Sequence, residues 1–273
     1  MKLTPTIVIT VKNRLDHFIK TFPFNVSQLG IDYNVLYVDY DSEDDFVNKL
    51  NTEIEYRKDM FSPNLKKIKL VRLRQQAKYD IRKAKNLGAA YACKDSNIII
   101  LNDADTMLSM NYLQKWCKLI YPGKTFVTNR VQESKASYPK RINSTVNYGN
   151  IIVASKDLKR VCGYDEDIAG FIGWGGDDDD LFHRLKLSGL REINPYTLEE
   201  TGQYSIMHSD ELRFKDTLFP NVKKPDALGV KEIHDKVYCN INRIKSRKSD
   251  YLNHDFILNI STEEVIYENK SNS

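Results

Sequence analysis

The run Gly173-Trp174-Gly175-Gly176-Asp177-Asp178-Asp179-Asp180 holds the most chemistry per residue in this chain. Glycine lets a backbone pass close to a ligand. Trp174 offers a flat apolar face suited to a sugar ring, with an N–H at its edge. Four adjacent carboxylates at a helix start meet the positive end of the helix dipole, although they repel one another. An acidic helix cap after a loop would account for one or two of these aspartates, but not for a tryptophan between glycines. The D-x-[DN]-x-[DN]-G spacing of a calcium-binding loop is missing. A second acidic group, Asn102-Asp103-Ala104-Asp105, follows the apolar residues 98–101. Asp103 and Asp105 alternate at a strand end and can point toward one site. Two hard carboxylates there suit Mg²⁺ or Mn²⁺, which favour oxygen and can share the oxygens of a diphosphate. A bare D-x-D also describes two solvated turn aspartates.

Positioning these acids requires strands and helices in a definite order. Residues 6–11 and 97–101 are apolar, β-branched runs and read as buried strands, as does 34–39, which ends in an acidic turn. Residues 68–72 form a more amphipathic strand. Helices are expected over 14–22, stopped by Pro23, and over 78–92. This β-α-β alternation predicts an α/β fold with a mostly parallel sheet flanked by helices. In such sheets ligands bind beyond the carboxyl ends of the strands. The second half is less regular. Strands are expected at 125–128 and 150–154, with Ser155 capping a short helix. A further helix should span 178–188, closed by Gly189. The pattern weakens after residue 211. No internal repeat or linker divides the chain, so one domain over 1–273 is expected.

The composition narrows the function classes. The 273 residues are 41% hydrophobic and 29% charged, with a formal charge of +4, as expected of a globular protein rather than a disordered chain or a fibre. The basic residues are dispersed, which argues against nucleic acid. No stretch approaches the ~20 apolar residues of a membrane span. The start carries no secretory leader, and the four cysteines lack C-x-x-C spacing. A cytoplasmic protein with reduced, partly buried thiols is expected. Peripheral contact with a membrane and the oligomeric state stay open.

The run from Gly173 to Asp180, with Leu181-Phe182 and Arg184-Leu185, resembles the G-W-G-G-E-D-D-D-[IV]-[FY]-x-R-L signature of the β-1,4-galactosyltransferase family. It is also similar to related inverting GT-A glycosyltransferases. Other segments match in the same order. Ile9-Thr10-Val11-Lys12-Asn13-Arg14 resembles the loop that touches the donor nucleotide. Arg82 with Asn86-Leu87-Gly88 resembles the R…N-x-G helix near the donor. Asp103-Ala104-Asp105 resembles D-V-D, and Ser205-Ile206-Met207-His208-Ser209 resembles the segment that supplies a histidine ligand.

The resemblance implies a GT-A fold with a nucleotide-binding half (1–105), a smaller acceptor-side, catalytic half (106–210) and a C-terminal extension (211–273). It also implies a metal-dependent, inverting transfer of a hexose or N-acetylhexosamine from a UDP-sugar to a glycan or glycoconjugate acceptor. The metal would be Mn²⁺ or Mg²⁺, held by Asp105 and His208 with Asp103 assisting. Asp178 would be the general base, and Asp177 would hold acceptor or donor hydroxyls. Val11, Asn13, Arg14, Asp39, Arg82, Asn86, Asp103, Trp174, Gly175 and Gly176 would line the donor, with Asp39 at the uracil. There are departures: Thr10, Val11 and Lys12 replace proline, phenylalanine and arginine, Ser205 replaces a methionine beside the metal, and Asp177 replaces glutamate. Two other functions use similar residues. A sugar-nucleotide pyrophosphorylase also carries an acidic pair, but wants glycine after the first strand, and Val11-Lys12-Asn13-Arg14 has none. A non-catalytic sugar-binding module would need no ordered nucleotide site.

Overall fold

The structure is a computed structural model that describes residues 3–74, 79–128, 144–145, 149–166, 177–195, 198–206 and 262–269. Within these residues the chain runs β1 (Pro5–Val11), α1 (Leu15–Asn25), β2 (Tyr33–Tyr40), α2 (Phe46–Arg57), β3 (Leu65–Leu73), α3 (Ile81–Asp95), β4 (Ile98–Asp103), β5 (Thr106–Leu108) and α4 (Tyr112–Cys117). It continues with β6 (Thr125–Thr128), β7 (Ser144–Thr145), β8 (Ile151–Ala154), α5 (Ser155–Arg160), α6 (Asp177–Leu187), β9 (Arg191–Ile193), α7 (Leu198–Thr201), β10 (Gln203–Ile206) and β11 (Thr262–Glu268). Among the described residues the main sheet has the order β11-β3-β2-β1-β4-β8-β6-β9, and β5-β10-β7 form a small second sheet. Strands β3, β2, β1 and β4 are mutually parallel, as the β-α-β order requires. β8 and β11 add on antiparallel at either side of them. This is the expected α/β architecture, with helices on both faces.

Strand alternation sorts the apolar residues into two cores. Ile7, Ile9, Val11, Val35, Tyr37, Ile98 and Ile100 face Phe18 and Phe22 of α1 and Phe46, Leu50 and Ile54 of α2. Val8, Leu36, Val38, Ile99 and Leu101 face α3, α5 and α6 through Ala84, Leu87, Leu158, Leu181 and Leu185. The register sets Val11 beside Asp39 and Thr10 beside Asp103, so three strands end level with one another. By the same alternation Asp39 falls on the α1/α2 side, and Asp103 on the side of α3 and α6.

Gly88 lets α3 lie directly on this sheet. A Cβ there would run into Val8 Cγ1 and sit 2.8 Å from Val38 Cγ2. Both valines are buried and β-branched, so neither can turn aside cheaply. Gly88→Ala should therefore cost about 1–3 kcal/mol through overpacking, read as a lowered thermal midpoint. An unchanged midpoint would show that the helix can lift at no cost.

Several elements differ from the sequence reading. Pro23 lies inside α1 rather than ending it. Phe22 and Val26 are buried, which holds the last turn despite the missing N–H, and the hydroxyl of Ser27 donates to the Pro23 carbonyl at 2.5 Å. α3 starts at Ile81, because the Asp80 carboxylate caps it by accepting from the backbone N–H groups of Arg82 and Lys83. α6 starts one residue early, at Asp177. Its end is as expected, with Gly189 at φ 90°. Ser155 is not a cap; Ala154 holds that position, and the Ser155 hydroxyl donates to the Ser96 carbonyl. α2 gives little sequence signal because its residues are mostly polar, and Phe46, Leu50 and Ile54 share its buried face with Glu53. β11, from the far end of the chain, completes the edge beside β3.

Candidate functional site

The carboxyl end of β4 is built by two asparagines. The Asn150 amide donates to Asn102 Oδ1, Asn102 Nδ2 donates to the Thr106 carbonyl at 3.2 Å, and Asn150 Oδ1 accepts from the Asp103 N–H at 3.3 Å. Both asparagines are buried. They weld the end of β4 to the segment before β8 and fix the direction in which Asp103 leaves the sheet. The next turn holds Asp105, half-buried, whose carbonyl accepts from the Ile206 N–H at 2.8 Å and whose Oδ1 accepts from Thr106 at 3.3 Å. The end of β10 is thereby pinned to the acidic pair.

Asp103 meets α6 through a buried cation. Lys85, 1% exposed, reaches from α3 and places Nζ 3.2 Å from Asp103 Oδ1 and 3.6 Å from Asp178 Oδ1. It also donates to the Gly149 carbonyl at 3.3 Å and lies 5.4 Å from the centre of the Tyr164 ring. The Tyr164 hydroxyl donates to Asp178 Oδ1 at 2.8 Å. A Cβ on Gly149 would stand 2.9 Å from Asp178 Oδ2 and 3.3 Å from Asp103 Oδ2. Acids from distant parts of the chain thus share one small space, roofed by a glycine whose side chain would crowd their oxygens.

Burial alone would lower the Lys85 ammonium, but the neighbouring Asp103 and Asp178 outweigh it and raise it well above the usual lysine value. Burial, then the charge of Asp178, likewise raises the Tyr164 hydroxyl, so it stays protonated and can donate. Asp177 is pushed up to about 7, first by burial and then by the Asp178 charge. The folded protein therefore keeps a proton on Asp177 that the unfolded chain loses near its ordinary value of 3.8. Stability should fall as pH rises through that window and level off above about 7. Asp177→Asn removes this dependence, so its thermal midpoint relative to the parent should climb between about pH 4 and pH 7. A difference independent of pH would contradict the assignment.

The other expected positions lie on both sides of this cluster. Asp39, fully buried, sits 3.4 Å from Arg72 Nε through Oδ2, and its Oδ1 accepts from the Ser42 N–H at 3.0 Å. The loop after β1 is stitched to the same turn. Lys12 Nζ donates to the Asp41 carbonyl at 2.8 Å, Asn13 Oδ1 accepts from the Glu43 N–H at 2.8 Å, and Arg14 donates to the Asn13 carbonyl at 3.1 Å. Asn13 and Asp41 both take positive φ, 50° and 59°, which shapes a tight double turn.

Some expected donor-lining side chains are committed elsewhere. Val11 is buried in the core, so only its backbone is left to meet a ligand. Arg82 pairs with Asp80 at 3.1 Å. Both faces of the Asn86 amide are spent on the loop after α5: it accepts from the Tyr164 N–H at 2.7 Å and donates to the Tyr164 carbonyl at 2.8 Å and to Glu166 at 2.7 Å. Asn86 thereby holds Tyr164 over Lys85 and Asp178. Asp180 binds Arg184 at 2.7 Å, and Arg184 reaches the Val161 carbonyl, tying α6 to the end of α5. Trp174, Gly175, Gly176 and His208 lie outside the described residues. Among the described residues no group of three His, Cys, Asp or Glu side chains is arranged to hold a metal.

Lys85, Tyr164, Gly149 and Asn150 were not foreseen. Lys85 left one trace in the sequence, since it shares a helical stripe with Gly88, Ala89 and Ala92, where a charge has no place unless it is paired. Tyr164 and Asn150 left none.

Comparison with known proteins agrees with this architecture. Residues 129–210 match the family described as the N-terminal domain of galactosyltransferase. That segment carries Asp177, Asp178 and His208. A mannosyltransferase from Pyrobaculum calidifontis, solved with GDP-Man and Mn²⁺, is 18% identical with a TM-score of 0.58, over 90% of this chain and 74% of that one. A mutant of Drosophila β1,4-galactosyltransferase 7, solved with manganese, UDP-Gal and xylobiose, is 16% identical with a TM-score of 0.50, over 79% and 75%. The catalytic domain of that Drosophila enzyme with xylobiose is 15% identical with a TM-score of 0.50, over 86% and 80%. The chain has the GT-A glycosyltransferase fold. No helix among its described residues is long and apolar enough to cross a membrane.

Proposed function

We propose that this chain is an inverting glycosyltransferase that moves a hexose or N-acetylhexosamine, galactose-type favoured, from a UDP-sugar to a hydroxyl of a glycan or glycoconjugate. The observation that carries the reading is the convergence of Asp103, from the end of β4, and Asp178, from the first turn of α6, on the single ammonium of Lys85. One acid belongs to the nucleotide half of a GT-A sheet and the other to the segment that matches the galactosyltransferase family. Two of the solved neighbours hold UDP-Gal or GDP-Man with manganese, which supports a nucleotide-sugar donor and a divalent cation here.

The donor set suits an oxygen-favouring cation in part. Asp105, half-buried in the turn after β4, offers hard carboxylate oxygens. Asp103 meets Lys85 through Oδ1, so it can assist only through Oδ2. Asp105 is therefore the principal ligand proposed, with His208, and Mn²⁺ bound there would act as a Lewis acid on the departing diphosphate. The chain's own groups do the rest. Asn13 and Arg14, in the double turn after β1 and β2, are assigned to the nucleotide, and the buried Asp39, held by Arg72 and the Ser42 N–H, is assigned to the base side of the site. Asp178 takes the proton from the acceptor hydroxyl; Tyr164 and Lys85 hold its Oδ1, which leaves Oδ2 for the incoming group. Asp177, whose proton is held more tightly through burial and the Asp178 charge, can donate to a sugar oxygen in its protonated form. Trp174 is assigned to the sugar face, as its flat apolar ring suits.

Calorimetric titration of UDP and GDP, with and without Mn²⁺, tests the reading. UDP should bind in a Mn²⁺-dependent way and more tightly than GDP, and a screen of UDP-sugars should then yield slow hydrolysis of one of them. Binding of neither nucleotide would remove the proposed function, and preference for GDP would move the donor class.

A further inference from the structure

We infer that Lys85 is a positioning residue for transfer, acting through Asp178. The inference rests on the glycosyltransferase reading and extends it to a side chain that reading does not require. Lys85 is fully enclosed, and each of its contacts belongs to a different segment: Asp103 at the end of β4, the Gly149 carbonyl before β8, the Tyr164 ring after α5 and Asp178 on α6. An ammonium has three protons and no directional fork. Here Asp103 Oδ1, Asp178 Oδ1 and the Gly149 carbonyl lie within 3.2 to 3.6 Å of it. Asp103 and Asp178, both partly exposed at 23% and 28% of their side-chain area, would repel across the space that Lys85 fills. With the cation present, one oxygen of Asp178 meets both the Lys85 ammonium and the Tyr164 hydroxyl. Its second oxygen borders the space that a side chain on Gly149 would fill. Lys85 thus sets the angle of the acid on the acceptor side from an anchor on the donor side.

Two double-mutant cycles test this. The first measures kcat and donor KM for the parent, Lys85→Met, Asp178→Asn and the double variant. Lys85→Met should lower kcat by ~100-fold with donor KM changed less than ~3-fold, and should cost less than ~3-fold more once Asp178 is already Asn. Multiplying effects, or a loss confined to KM, would overturn the inference. The second cycle reads thermal midpoints of the same proteins, where the two substitutions should be non-additive. Additive midpoints would show that the two side chains do not act on one another, whether or not any sugar is turned over. A parent that binds and turns over no nucleotide-sugar would instead sink the functional reading, and the stability cycle would still decide the Lys85–Asp178 link. Should Lys85→Met fail to fold, Tyr164→Phe removes only the hydroxyl on Asp178. It should lower kcat at least ~5-fold with KM held, and an unchanged kcat would then refute the bracing of Asp178.

Discussion

Asp178→Asn should keep nucleotide binding and lose transfer by ~10²–10⁴-fold, the range that a general base supplies. The substitution preserves shape and changes one property. The amide oxygen can still accept from the Tyr164 hydroxyl, which now sits 2.8 Å from Oδ1. Lys85 keeps Asp103 at 3.2 Å and the Gly149 carbonyl at 3.3 Å, so the buried ammonium is not left bare. Loss of fold is therefore not expected to account for loss of rate, and a retained UDP titration confirms that in the same sample. An amide cannot take the acceptor proton. If the variant retains transfer within ~10-fold of the parent, Asp178 is not the base.

Asp105→Ala should abolish the part of UDP affinity that depends on Mn²⁺. The fold tolerates the change, because β10 is pinned to the Asp105 carbonyl rather than to its carboxylate. Thr106 loses one 3.3 Å bond and keeps Ser205 at 3.4 Å. In the parent, saturating UDP with Mn²⁺ should raise the thermal midpoint, since a ligand that binds only the folded state stabilises it by mass action. In the variant the midpoint should respond to UDP alike with and without the ion. An affinity that still rises on adding Mn²⁺ would place the cation elsewhere. Asp103→Asn makes a useful contrast. Since Asp103 Oδ1 faces Lys85, that variant should disturb transfer through the Lys85 cluster as well as through the ion.

Several features were legible before any coordinates because local chemistry dictates them. The apolar β-branched runs around Ile7, Leu36 and Ile99 have nowhere to go but a sheet buried on both faces. The D-x-D segment follows β4 directly, so its place at a carboxyl strand end is set by chain order. Gly189 ends α6 through positive φ. The sequence misleads where a distant partner outvotes the local signal. Pro23 is carried within α1 by the burial of Phe22 and Val26. Asn86, whose motif points toward a donor, spends its amide on Tyr164 and Glu166. β11 pairs with β3 across most of the chain, a pairing with no local trace in a polar segment.

The amino-acid sequence by itself determined which groups this protein has for chemistry and at which strand and helix ends they stand. Period-2 and helical spacing, capping and turn preferences act between near neighbours, so they survive in a linear string. Only the tertiary structure decided what stands between the acids. Whether Asp103 faces water, a cation or a lysine depends on the face of β4 it leaves from and on which α3 side chain lies above that face. It depends also on Gly149 lacking the carbon that would crowd the gap. Those are packing relations among residues far apart in the chain, and electrostatics at a few ångströms follows packing rather than sequence order.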